Sequence, residues 1–276
     1  MYPFRHNFTT SRQNYTNSTS GLFFLALVLL FLFSGCEKIT DPDPDKLPAK
    51  LKFDFSMTDF ELSGDKDLQN GQTEMIKVSN QTAYNPDAGR PDRFVLDSGT
   101  MVIENIEFEG RRIQGQEHIY FKTDFSSAFE VDLSDPAAQP DISFDIPQGN
   151  YYLIEIILHL GTDNLSSLVM QGNYTHPAHG DIPVIYDYSP REQIRIRAKL
   201  RGDQNSFALA KEKDSQGRIE LDTDSLMRLV NYGMIVNALV ADANGEEVFL
   251  INETINPGLF NNISTRLPNA FTLVIE

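Results

Sequence analysis

The sequence has no tryptophan and one cysteine, Cys36, in 276 residues. A lone cysteine makes no intrachain disulfide, so the fold has to be held by packing. It also excludes a cysteine-based zinc or iron–sulfur site. Cations are scarce, with 23 Lys and Arg against 39 Asp and Glu and a formal charge of −16. A surface of that sign repels nucleic acid, so no nucleic-acid partner is expected. There is no Gly-x-Ser-x-Gly elbow, no His-Glu-x-x-His, no Walker loop and no dinucleotide glycine pattern. No internal repeat of fixed period is present. The missing tryptophan removes the favoured sugar platform and leaves ten tyrosines.

Only one long apolar run exists. Residues 21–33 carry no charge, and residues 1–20 hold Arg5 and Arg12 with no acid. A helix of that length reaches about 20 Å at ~1.5 Å per residue, short of a ~30 Å hydrocarbon core. The run therefore reads as the h-region of a secretion signal rather than a membrane span. It ends in Phe33-Ser34-Gly35-Cys36. This ending resembles the lipobox of bacterial lipoprotein precursors, with Phe33 in place of the usual leucine. The resemblance implies cleavage before Cys36 and covalent diacylglycerol and acyl lipid on Cys36 as the only prosthetic group. It implies a membrane partner through that anchor and an address on the outer membrane of a Gram-negative bacterium. Residues 1–35 are then the cleaved signal peptide. Residues 36–49, with Asp41, Asp43 and Asp45 between prolines, read as an acidic flexible tether. Short acidic tracts of this kind also resemble surface-export signals. Lys46 and Lys52 stand where an EF-hand needs Gly and Glu, so that loop is rejected.

From residue 50 the pattern is alternation. Leu51, Phe53, Phe55 and Met57 share one face. Residues 58–93 form a long excursion with one candidate strand at 75–78. Met101 and Ile103 lie on one parity, Ile106 and Phe108 on the other, which predicts a bulge near Glu104 and Asn105. Further strands are expected around Ile119–Phe121, Phe129–Leu133, Ile142–Ile146, Leu168–Met170, Val184–Tyr188 and residues 193–200. Residues 151–160 are apolar except Glu155 and His159, as in a central strand. Short alternating strands between turn residues give a mainly β fold, an antiparallel β-sandwich over residues 50–201.

Residues 98–108, SGTMVIENIEF, followed by 145–151, DIPQGNY, resemble bacterial outer-membrane lipoproteins of uncharacterised function. These carry a transthyretin-like or immunoglobulin-like β-sandwich. The resemblance implies the fold and brings no catalytic motif.

Residues 202–276 read as a smaller α+β portion, packed on or next to the sandwich. Gln216-Gly217 suggests a hairpin between 207–210 and 219–221. Asp222 or Asp224 caps a short helix ending before Gly233. Strands are expected over 234–241 and 247–251, around Asn244-Gly245. Asn256-Pro257 opens a second helix to about Leu267, and 271–275 closes the chain as a strand.

Two clusters are candidates for chemistry. Arg195, Arg197, Lys199 and Arg201 form a stripe on one face of one strand, spanning about 20 Å. One reading is a groove for an anionic ligand, an acidic glycan or phosphorylated headgroup. The other is cross-strand pairing with acids such as Glu130, Asp132, Asp141 or Asp145, which the excess of acids favours. Glu155 is expected to meet one of the stripe arginines. His176, His179 and Asp181 are weak metal candidates in a loop that gives the rings no reason to converge.

These features lead to a non-enzymatic envelope lipoprotein, a binding, adhesion or complex-accessory module with an envelope protein or glycan partner. One alternative is a glycan hydrolase using paired carboxylates. Another is a calcium- or zinc-binding envelope protein.

Overall fold

The computed structural model describes residues 47–63, 93–114, 117–123, 125–176, 179–202, 204–243 and 245–276. Cys36, most of the tether and the candidate strand at 75–78 lie outside them. Fifteen strands follow in chain order: β1 (Pro48–Met57), β2 (Phe60–Ser63), β3 (Arg93–Arg112), β4 (His118–Lys122), β5 (Phe129–Asp132), β6 (Ile142–Pro147), β7 (Gly149–Leu160), β8 (Leu168–His176), β9 (Gly180–Tyr188), β10 (Glu192–Lys199), β11 (Phe207–Leu209) and β12 (Ser215–Leu221), then β13 (Ala241–Ala243), β14 (Glu246–Ile251) and β15 (Phe271–Ile275). Helices α1 (Thr223–Met227), α2 (Tyr232–Val236) and α3 (Pro257–Ser264) fall between the later strands. The fold is mainly β, with its few helices toward the C-terminus.

β3 is the spine. At 20 residues it is twice the usual upper length of a strand. Ile103 lies opposite both Leu160 and Phe129, which must therefore occupy its two edges. Along one edge run β7 and then β8; along the other run β4, β5 and β2. Its register shifts between Ile103 and Asn105, where the sequence predicts a bulge, and again between Leu96 and Ser98. Each shift moves the buried set to the other parity: Phe94 and Leu96, then Met101 and Ile103, then Ile106 and Phe108. A slip of one residue inverts every side chain, so the bulges keep a long strand facing one core.

The second sheet has the order β6-β1-β12-β15-β10. It is mixed: β1 runs parallel to β12 and β10 parallel to β15. β9 and β14 also pair in parallel. The expected antiparallel pattern is thus corrected at three places, each joining an early strand to a late one. β10 belongs to both sheets. It pairs with β7 through Arg197 and with β15 at Ala198 and Lys199. Phe108 of β3 meets Phe144 of β6 across the layers, and each also meets a ring of its own layer, Tyr151 and Phe53 respectively, with centroids 5.7–6.3 Å apart. Such ring pairs contribute about 0.5–1.5 kcal/mol beyond their area.

Three local expectations change. Residues 207–210 and 219–221 form no hairpin, because β11 pairs with β7 while β12 enters between β1 and β15. Residues 232–236 are a helical turn rather than a strand, and Gly233 sits inside it. Asn231 accepts the Met234 N–H at 3.0 Å and starts that turn. Asn256 precedes α3 with φ 56° but makes no side-chain cap bond. Its amide instead donates to the Leu239 and Leu250 carbonyls and accepts the Leu239 N–H, at 2.7–2.8 Å. α3 itself ends at Ser264, short of Leu267. Asn256→Ala removes all three bonds at a buried position and leaves a left-handed backbone without the residue that tolerates it. We expect a loss of about 2 kcal/mol, read from urea unfolding. A midpoint equal to wild type would show that the amide does not hold residues 239 and 250 together.

Candidate functional site

The cationic stripe is where charge concentrates. The outward faces of β4, β3, β7 and β10 form one ionic lattice. Arg195 stands directly opposite Ile157 and reaches diagonally past it. One of its nitrogens donates to Glu109 at 2.9 Å and to Glu155 at 2.8 Å. Glu109 and Glu155 are themselves cross-strand neighbours. Like charges set directly opposite destabilise a sheet unless a cation lies between them. Arg195 is that cation, and its hydrogen bond holds the Glu109 carboxyl below the usual range against the opposing effect of burial. The guanidinium is held protonated by the same two bonds.

The lattice continues along the row. His159 lies 2.8 Å from Glu107 through Nε2, and its Nδ1 is 3.0 Å from the Gln193 amide. Lys122 adds an ion pair to Glu107 at 3.4 Å. Burial acts to raise the Glu107 carboxyl, but hydrogen bonds from Tyr120 and His159 outweigh it and hold it low. Both nitrogens of His159 are engaged, so the ring has no free lone pair to serve as a base. Nearby, Arg191 pairs with Glu104 at 2.5 Å and Asp163 at 3.3 Å beside a cavity of about 200 Å³.

Glu109 and Glu155 were not among the candidates read from sequence as an acid pair. Two acceptors on one nitrogen lie within about 6 Å of each other, close to the ~5–5.5 Å carboxyl separation of a retaining glycosidase. A retaining enzyme needs one of its two acids protonated near neutral pH. Here both accept from one guanidinium, and Glu109 is pushed the wrong way for a general acid. They also lie on a sheet face rather than in a cleft.

The stripe does not act as one surface. Because β10 changes sheets after Arg197, the four cations of the stripe diverge, Arg201 lying beyond the strand's end. Arg195 joins the lattice. Among the described residues Arg197 and Lys199 close no ion pair, although Lys199 lies in the field of Asp222. Arg201 pairs with Glu276 at the end of β15. The named acids do other work: Asp141 pairs with Lys50 and Lys52, and Asp132 accepts the Ser134 and Asp135 N–H groups.

His176 and His179 sit where β8 turns into β9. The His176 Nδ1 accepts the His179 N–H at 3.2 Å, and the His179 ring pairs with Glu247 at 2.9 Å. Asp181 accepts from Thr175 at 2.7 Å. Among the described residues, no three His, Cys, Asp or Glu groups converge to hold a metal ion.

A second polar concavity holds about 400 Å³ and is lined by residues that include Arg201, Gln204, Ser206, Lys213, Ser215 and Glu276. Arg201 is the only residue in it that the sequence singled out. Gln204, Ser206, Lys213 and Ser215 follow it within fifteen residues and Glu276 comes from the far end, and no motif or regular spacing marks them. Comparison with protein-family models, with curated proteins and with solved structures finds no match to this chain.

Proposed function

We propose that the protein is a lipid-anchored envelope lipoprotein of a Gram-negative outer membrane whose β fold is a non-enzymatic binding module. The observation that carries this reading is the position of Cys36. The only cysteine in the chain closes its only long uncharged run, directly behind Ser34 and Gly35. Acyl chains on one residue bury into a bilayer at ~0.8 kcal/mol per CH₂, so several chains give a durable anchor. β1 starts at Pro48. The residues from Glu37 to Leu47 can span at most roughly 35–40 Å when extended, so the fold would work close to the membrane surface. The lattice on β4, β3, β7 and β10 supports binding over hydrolysis, since its acids are committed to cations.

The test is a full-length Cys36→Ala variant expressed beside wild type. Wild type is expected in the detergent-extracted membrane fraction and labelled by radioactive palmitate. The variant should take up no label and move to the soluble fraction. A variant that stays membrane-bound would refute the anchor.

A further inference from the structure

The sheet switch of β10 leaves an open corner between the two layers. Up to Arg197 the strand lies against β7. From Ala198 it lies against β15, and β11 takes its place beside residues 149–151 of β7. The 400 Å³ concavity opens there, between β11 on one side and β12 with β15 on the other. Its size falls at the low end of ligand pockets, roughly 300–1,000 Å³.

Three features of the lining point to one ligand chemistry. The first is a carboxylate already present. The Glu276 backbone is tied to Gln216 by bonds of 2.8 and 3.1 Å, and its side chain is set onto Arg201. That carboxyl is held low by the Arg201 hydrogen bond and, more weakly, by the charges of Arg218 and Lys213. Among the described residues Glu276 is the one acid in the lining, and three cations act on it; Glu212 and Asp214 flank Lys213 in sequence, but neither lines the cavity. The second is Ser215. It is only 5 % exposed, and it lines the cavity. A serine hydroxyl there can both donate to and accept from a ligand hydroxyl. Gln204 and Ser206 add further hydroxyl-seeking groups. The third is an apolar side made by Phe207 and Ile275.

We propose that this corner binds a small carboxylate-bearing sugar, a hexuronic acid residue, with its carboxylate on Arg201 and Lys213, its hydroxyls on Ser206, Ser215 and Gln204, and its apolar ring face on Phe207. Glu276 competes with the ligand carboxylate for Arg201. The inference deepens the binding-module reading and depends on the fold, not on the anchor.

The experiment is calorimetric titration of the purified full-length protein with D-glucuronate, D-glucose and inorganic phosphate, each at up to millimolar concentration. Saturable binding is expected for glucuronate alone. Arg201→Ala should weaken it by about tenfold or more, the loss of one charge-assisted hydrogen bond. Glu276→Gln should tighten it several-fold. Circular dichroism melts of both variants check that they fold. Absence of glucuronate binding in both wild type and Glu276→Gln would overturn the proposal. So would equal binding of glucose, or phosphate binding that excludes glucuronate. The Cys36→Ala variant should bind glucuronate as wild type does. A failed anchor and a failed site are therefore read separately.

Discussion

Gly172→Ala is expected to lower stability by about 3–4 kcal/mol, above the usual ~1–3 kcal/mol of overpacking. Gly172 sits on β8 opposite Leu96 of β3, next to the register shift between Leu96 and Ser98. A Cβ at this position would lie 1.9 Å from the Val95 carbonyl oxygen and 2.9 Å from the Leu96 Cα. Those are backbone atoms, so no rotamer change relieves the contact. β3 cannot retreat freely either, because β2 holds Val95 and Leu96 on its other edge. Moving it would also open the Phe94, Tyr174 and Phe249 ring cluster, whose centroids lie 5.4–6.1 Å apart. For a domain of this size the melting temperature should fall by roughly 8–14 °C. Gly180→Ala is the control. It has φ +77° and nothing within 4 Å of an added Cβ, so only the left-handed penalty of about 1–2 kcal/mol applies. If Gly172→Ala melts no lower than Gly180→Ala, the two backbones are not in tight contact.

What the sequence made legible was one-dimensional. Alternation in β1 gave its buried face, because Leu51, Phe53 and Phe55 point to one side whatever strand lies beside them. The parity change in β3 gave its bulge. The Asp222/Asp224 pair marked the start of α1, and Asp222 is the cap, its side chain accepting the Ser225 N–H at 3.0 Å. These signals act within a few residues, where side-chain period and capping decide.

Pairing was not legible. Nothing local in β1 says that its partner is β12, with Leu51 beside Ser215. Gly217 shows how a local signal misleads. Beside Gln216 it reads as a turn, yet it lies inside β12, where a Cβ would meet the Phe53 ring at 2.7 Å. The glycine is there for a neighbouring aromatic, not for a bend. Asn256 is a second case. Asn before Pro reads as a cap, but tertiary contacts take its amide to two carbonyls of other segments. The stripe on β10 failed for the same reason. Its alternation was right: Ile194, Ile196 and Ala198 are buried and the cations exposed. Its meaning depended on which sheet each half joins. Of the acids named as partners for the stripe, Glu155 is the one that pairs with a stripe arginine among the described residues, because a lone acid in a covered strand needs a cation.

The lattice yields the second large effect. Arg195→Glu puts a third carboxylate where Glu109 and Glu155 already face each other with side chains 18 % exposed. Removing one partner of a fully buried pair costs about 3–5 kcal/mol. Arg195 is 54 % exposed, so solvent screening reduces that figure, and about 2–3 kcal/mol is expected near pH 7. The pH dependence separates this from a packing defect. In wild type the Glu109 carboxyl is held low. Its contribution is full above the unfolded carboxylate value of about 4.3 and is lost as the pH falls through the folded value. In the variant the sign reverses. Mutual repulsion raises the folded carboxyl values above the unfolded one, so the penalty is full at neutral pH and is relieved as the pH drops toward 5. The gap in melting temperature between wild type and Arg195→Glu should therefore narrow from pH 7 to pH 5. A gap that stays constant, or widens, would mean that Arg195 acts through its aliphatic stem rather than through its charge. Arg197→Ala, two residues along the same strand, should stay within about 0.5 kcal/mol of wild type at both pH values, since Arg197 closes no ion pair among the described residues.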